Sequence, residues 1–196
     1  MRRTLLPDLV LDARGARPGV GVTIEGGRVV AVGPAAEGER LPGRALAPGF
    51  ANAHSHAFQR GLRGGVERRD PAHPRDDFWT WRERMYALAG SLDPASLREA
   101  SERCYREMLS AGYTSVAEFH YLHHRPDGAP YEDPNALAKA VAAGAEAAGM
   151  RLLLLPAAYA RGGLSRFRDA SAGEFLARVE ELRAWAEGRP LVEVGL

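Results

Sequence analysis

From about Ala45 onward the chain repeats one pattern: a short apolar run, a polar loop, then a stretch whose apolar residues recur at helical spacing. "ALAPGFANA" is the first run and ends at His54. "DDFWTWRERMYALAG" follows, with Phe78, Trp81, Met85 and Leu88 on one helical face and Asp76 or Asp77 able to cap it. In "LDPASLREASERCYREMLSAG", Asp93 is the expected N-cap, Pro94 takes the first helical position, and Leu97, Ala100, Cys104 and Met108 form the apolar stripe up to Gly112. A strand "YTSVAEFH", a polar loop and a helix from Pro134 to Ala148 come next, capped by Asp133 and stopped by Gly149. "RLLLLPAAY" is apolar almost throughout, as a parallel strand covered on both faces is. Ser171 and Glu174 make a capping box for a helix that turns Phe175, Val179, Leu182 and Ala186 inward, before a last strand "LVEVGL". Strands alternating with helices build right-handed β-α-β units on a parallel sheet.

Residues 1–44 have another texture and are expected to form a small β-rich subdomain. "DLVLD" reads as a strand. "VGVTIEGGRVVAVGP" reads as a hairpin that turns at Gly26-Gly27. Some forty residues of strand bury little on their own, so this piece is expected to pack on something else. The predicted class is α/β: a small β-subdomain over 1–44, then over 45–196 the first half of a (β/α)8 barrel with about four βα units. The closing strand has no helix after it to cover it, so the 196-residue chain reads as the N-terminal portion of something longer.

Charge narrows the function classes. The formal net charge is +1, which lacks the basic excess that nucleic-acid binding requires. Lys139 is the only lysine, a bias expected of a GC-rich genome. With Cys104 as the only cysteine, an intrachain disulfide and a cysteine-based zinc site are both excluded. The N-terminal apolar run is broken by Pro7 and Asp8, and nothing later has the length of a membrane span; a soluble cytoplasmic protein is expected.

Chemistry in such folds sits in loops at the carboxyl ends of the strands. His54 and His56 fall there, in "PGFANAHSHAFQRGLRGG". With one residue between them, a locally extended backbone points both imidazoles to one side, where they can share a zinc-like divalent ion. Two ligands do not complete a site; a catalytic zinc needs at least one more.

A β-rich start followed by "LAPGFANAHSH" leading into a barrel resembles the amidohydrolase superfamily. "NAHSHAFQR", "DDFWTWRERMY" and "GYTSVAEFHYLHH" are each similar to segments of the formimidoylglutamate deiminase family, over the whole chain but only about the first half of that family's length. The resemblance implies hydrolysis of N-formimino-L-glutamate to N-formyl-L-glutamate and ammonia, in histidine degradation, with one divalent ion, zinc, held in part by His54 and His56. It implies a dicarboxylate substrate gripped by Arg82 and Tyr121, with Gln59 hydrogen-bonded to the formimino group. It also implies a homo-oligomer for the full-length enzyme and no nucleic-acid or membrane partner. The remaining ligands and the residue for proton transfer belong to the later half of the family, so no catalytic residue is identifiable here and the chain alone is expected to be inactive.

Each assignment has a competitor. Trp79 and Trp81 read as core or pocket wall. Arg82 is either paired internally or points into a cavity, and Tyr121 either lines the pocket or packs with its hydroxyl in water. Arg60, Arg63, Arg68, Arg69 and Arg84 read as solvated charges, His73, His123 and His124 as loop residues, and His120 as a support for the ligands. Glu118 either orients a ligand histidine or bonds backbone. Two other functions stay open: an amidohydrolase acting on a heterocyclic ring, which has less use for Arg82 and Tyr121, and a non-catalytic fragment that serves as an assembly module.

Overall fold

The structure is a computed structural model that describes residues 1–66 and 77–196. Arg68, Arg69, His73 and Asp76 lie outside the described residues. The chain divides into two compact units, Met1–Gly49 and Phe50–Leu196.

The first unit is a five-stranded sheet of β1 (Arg2–Asp12), β2 (Gly15–Pro18), β3 (Gly21–Glu25), β4 (Arg28–Gly33) and β5 (Glu39–Leu46). β1 pairs antiparallel with β2 and β3, while β5 lies parallel to β1. The hairpin joins β3 to β4, and both its turn residues, Gly26 and Gly27, have φ values of 57° and 77°, which glycine adopts without the Cβ clash. On β3 it is Gly21 and Thr23 that are buried, while Val22 and Ile24 are only half-buried. A Cβ at Gly21 would come within 2.9 Å of the Leu6 side chain, so the small residue is what lets β1 and β3 close. β5 carries the sheet through Ala45 to Leu46, residues that the pattern alone had joined to the next strand.

The second unit is the expected α/β half. A four-stranded parallel sheet runs in the order β6 (Phe50–Ser55), β7 (Tyr113–His120), β8 (Arg151–Pro156), β9 (Val192–Val194). The helices are α1 (Phe78–Ser91), α2 (Pro94–Ser110), α3 (Ala136–Ala148) and α4 (Ala172–Ala186). α2 packs on α3 and β7, α3 on β8, and α4 on β9. Val116, Leu152, Leu154, Val192 and Val194 all belong to one buried cluster with Leu97, Tyr105, Val141 and Leu182 of the helices. The intervening residues Ala117, Leu153, Leu155 and Glu193 are more open, so each strand has one covered and one less covered face.

Local chemistry explains the helix starts. Asp77 caps α1 through the Trp79 and Thr80 amides, and Asp93 caps α2 through Ser96, with Pro94 in the first turn. Ser171 accepts from the Glu174 amide to open α4, while the Glu174 carboxylate accepts from Ala170. α3 differs: its N-cap is Asn135, whose side chain makes no capping bond, while Asp133, two residues earlier, accepts from the Asn135 amide. Gly149 ends α3 at φ 84°.

The stripes are shifted from those expected. Phe78 is 60% exposed and α1 buries Met85 and Ala89, because its first turn extends beyond the covered face. On α2 the fully buried positions are Leu97, Ser101 and Tyr105, with Cys104 and Met108 only partly covered. α4 buries Phe175, Val179, Leu182 and Ala186 as its spacing indicated, and Arg178 besides. Among the described residues no helix is long and apolar enough to cross a membrane.

A histidine pair at the strand ends

β6 and β7 pair in parallel with register shifts between Asn52 and Ser55. Asn52 pairs with Val116 and Ser55 with Glu118, positions on the covered face of β7. Asn52 is tied there to Met108 of α2, and Ser55 is buried. His54 and His56, on either side of Ser55, therefore turn to the opposite face. Their ring centroids are 4.9 Å apart and nearly perpendicular, and both contact Phe119: His54 stacks on it at 4.6 Å and His56 meets it edge-on at 6.2 Å.

The His56 ring is fixed by a second contact. Its Nδ1 lies 2.8 Å from the Phe119 carbonyl oxygen, which can only accept. The proton therefore sits on Nδ1 and the Nε2 lone pair is free. Burial, together with neighbouring His54, lowers the His56 pKa, while the Phe119 carbonyl opposes this. The neutral ring with an anchored Nδ1–H is the form in which histidine ligates a metal ion. His54 is exposed, and its backbone amide donates to the Asn52 side chain. The donor set fits a zinc-like ion, with two imidazoles available and an open side. Among the described residues no three His, Cys, Asp or Glu side chains gather closely enough to hold one.

The turn beyond the pair is set by Glu118. This carboxylate, 2% exposed on β7, accepts from the Ala57 amide at 2.7 Å, where residues 57–62 form a 3-10 turn. Burial pushes its pKa up to about 7 against the pull of that amide and of Ser55 and Tyr105. Of the two roles open to Glu118, the structure has the backbone bond.

Gln59 and Tyr121 come together: Gln59 Nε2 donates to the Tyr121 hydroxyl at 2.8 Å. Tyr121 is buried, packs edge-on against His56 at 5.0 Å and against Phe58 at 5.5 Å, and its hydroxyl faces the Met85 sulfur rather than open water. Desolvation raises its pKa, so the phenol stays a donor. Arg82 lies elsewhere on α1, over the Trp79 ring at 4.3 Å and the Tyr86 ring at 5.3 Å, with its Nε buried and, among the described residues, without a hydrogen-bond partner. Trp79 is 57% exposed and Trp81 packs on the core margin.

Several charges are less free than their sequence context implied. Arg60 makes a forked contact to Glu107, which Arg63 also approaches at 3.4 Å, and Arg84 donates to the Gly65 carbonyl. His123 and His124, read as loop residues, are buried, as is His120 at the end of β7, because the segment after β8 covers them: His123 Nε2 lies 2.9 Å from the Ala157 carbonyl, the Arg166 carbonyl accepts from both the His123 and His124 amides, and Asp169, which accepts from Arg178 of α4, lies 3.8 Å from His124. Arg166, fully buried, was not legible in advance. It lies on a 3-10 turn after β8 and donates to the carbonyls of His124, Ala89 and Leu92, which joins that loop to the end of α1.

The amidohydrolase family model matches residues 45–195. The chain is 45% identical over 139 residues to a formimidoylglutamate deiminase of Pseudomonas aeruginosa, covering 71% of this chain and 30% of that protein. Among solved structures, it superposes on an amidohydrolase from Brucella melitensis with TM-score 0.88 at 36% identity, over 98% of this chain and 45% of the other. A zinc-bound adenosine deaminase from Xanthomonas campestris shares the fold at TM-score 0.69 and 22% identity, over 98% of this chain and 41% of the other. The chain thus spans less than half the length of these relatives, and it belongs to the amidohydrolase family.

Proposed function

We propose that this chain carries the metal-proximal and substrate-proximal loops of a formimidoylglutamate deiminase, which hydrolyses N-formimino-L-glutamate to N-formyl-L-glutamate and ammonia. The observation that carries the reading is the His54–His56 pair on one face of the sheet, with His56 Nδ1 committed to the Phe119 carbonyl. The similarity to the Pseudomonas deiminase supports the substrate.

His54 and His56 would hold one zinc-like ion through their free ring nitrogens, together with ligands from outside the described residues. When bound, such an ion would supply Lewis acidity and lower the pKa of water toward neutrality. The chain's own residues do the positioning. Glu118 holds the Ala57 amide and so fixes where the backbone leaves His56. Gln59, already aligned by Tyr121, presents its side-chain amide beside the pair and would hydrogen-bond the formimino group. Phe119 stacks on one face of His54 and the Tyr121 ring packs edge-on against His56, so the two rings wall the site on its inner side. Arg82 would supply a guanidinium, whose fork suits a carboxylate, from over the Trp79 and Tyr86 rings. Proton transfer falls to residues outside this stretch, and the isolated chain is inactive.

The test is steady-state ammonia release by the protein at the full length of its relatives, with N-formimino-L-glutamate, adenosine and cytosine compared side by side. Turnover of the formimino compound alone supports the reading; turnover of a ring substrate in its place refutes it.

A further inference from the structure

The aromatic side chains behind the histidine pair form a connected group whose members come from different loops. Phe167, 1% exposed, is its hub: Tyr121 meets it at 5.0 Å, Tyr159 at 5.5 Å and Tyr86 at 5.8 Å between ring centroids. Tyr121 and Tyr159 also contact each other at 5.8 Å, so Tyr159 is one ring removed from His56. On the other side Tyr86 adjoins Arg82.

The three tyrosines are not equivalent. The Tyr121 hydroxyl is taken by Gln59, whereas among the described residues neither the Tyr86 nor the Tyr159 hydroxyl has a hydrogen-bond partner. Tyr159 is half-buried, and it stands at the carboxyl end of β8, the same end of the sheet as His54 and His56. Desolvation and the neighbouring Tyr86 phenol raise its pKa, which keeps it a hydrogen-bond donor.

The loop after β8 is built to hold this ring in place. Gly163 has φ 68°, and a Cβ there would lie 2.8 Å from Phe167 Cδ2 and 3.3 Å from Tyr159 Cδ1. Any side chain at Gly163 must push against both rings, in a backbone conformation that only glycine adopts freely. The loop's far end is pinned by the buried Arg166 guanidinium. A buried hub, a close-approach glycine and a pinned end hold one half-exposed phenol whose hydroxyl has no hydrogen-bond partner among the described residues.

We propose that Tyr159 is a further substrate-binding and specificity-determining residue, whose hydroxyl donates to a carboxylate of an open-chain anionic substrate while Arg82 faces the same aromatic group from α1. This rests on the deiminase reading. It places the anion-binding donors behind the histidines, on α1 and the loop after β8, and it explains why a phenol without a partner among the described residues is held so firmly.

The test uses the protein at the full length of its relatives, with Tyr159→Phe and Gly163→Ala. Tyr159→Phe keeps the ring and hence the packing, which circular dichroism and the thermal midpoint verify. Loss of one hydrogen bond to a charged group raises KM for N-formimino-L-glutamate and Ki for N-formyl-L-glutamate about ten-fold or more, with kcat within about two-fold of wild type. Turnover of formamidine, which has no carboxylate, stays unchanged. Gly163→Ala moves both constants in the same direction by displacing the ring. Wild-type constants in Tyr159→Phe, or equal losses on formamidine, overturn the Tyr159 assignment and leave the deiminase reading standing. A wild-type protein that neither binds N-formyl-L-glutamate nor releases ammonia removes the deiminase reading, and Tyr159's role with it.

Discussion

His56 Nδ1 lies 2.8 Å from the carbonyl oxygen of Phe119, two strands' pairing having brought residues of distant sequence into one hydrogen bond. That contact fixes the tautomer and leaves Nε2 free for a metal ion. Replacement of His54 or His56 by alanine is therefore expected to weaken zinc binding by a factor on the order of 100 or more, since even outer contacts to ligands are worth 10–100-fold. Competition against a chromophoric chelator measures it. Equal affinity in wild type and both variants would remove the pair from the site.

Glu118 sets a pH dependence whose sign is opposite to the usual carboxylate. Its pKa is raised by burial to about 7, above the value of 4.5 for a free glutamate. The folded state then holds the proton more tightly than the unfolded one. This contribution is complete below about pH 4.5 and is lost as pH rises through about 7, on the order of 3 kcal/mol in all. Glu118→Gln keeps an acceptor for the Ala57 amide and cannot ionise. Its stability relative to wild type should rise steadily between pH 4.5 and 7.5 in urea titrations; a pH-independent difference would show that Glu118 does not titrate in this range.

His123 acts in the other direction. Burial first, and the Arg178 charge second, lower its pKa to about 4, while its Nε2 is engaged with the Ala157 carbonyl. The neutral ring is favoured by folding, so its contribution is complete above about pH 6.5 and disappears as pH falls toward 4. His123→Gln should flatten the acid limb of stability over that interval. An unchanged acid limb would count against it.

Arg166 has three carbonyl acceptors, on His124, Ala89 and Leu92, and no exposed surface. Truncation to alanine leaves those oxygens buried and unpaired, at about 1–3 kcal/mol for each that water does not reach. Arg166→Ala is expected to lose about 3 kcal/mol or more in denaturant unfolding, with Arg166→Lys intermediate because a single ammonium cannot reproduce the fork. A loss below about 1 kcal/mol would mean the loop is held by other contacts.

Gly144 lies inside α3, where alanine ordinarily gains about 1 kcal/mol of helix propensity. Here a Cβ would come within 2.8 Å of the Arg98 carbonyl oxygen and 2.9 Å of the Glu102 amide nitrogen on α2. Both are backbone atoms, so the helices must separate. Gly144→Ala is therefore expected to destabilise by about 1–3 kcal/mol in spite of propensity. A more stable variant in thermal unfolding would contradict this close approach.

The elements that could be read from sequence were those with strong local chemistry. Asp93-Pro94, Ser171, Gly26-Gly27 and Gly149 mark their boundaries by capping or by positive φ, both properties of a few adjacent residues. The His-x-His pair was legible for the same reason: alternation along an extended strand is local. What escaped depended on partners far along the chain. Nothing near Arg166 signals the carbonyls 77 and 74 positions away that bury it. The burial of His123 and His124 depends on Ala157, Arg166 and Asp169 beyond β8, and the α2 stripe turned toward Ser101 and Tyr105 where Gly144 lets α3 approach.

The central claim joins the histidine pair to deiminase chemistry, and ammonia release measured against metal content tests it most directly. Protein at the full length of its relatives is stripped with a chelator and titrated with zinc, with N-formimino-L-glutamate as substrate. The account predicts that activity returns in proportion to about one ion per chain, and that His54→Ala and His56→Ala recover neither ion nor activity. Full turnover in the stripped protein, or none at full metal occupancy, would contradict it.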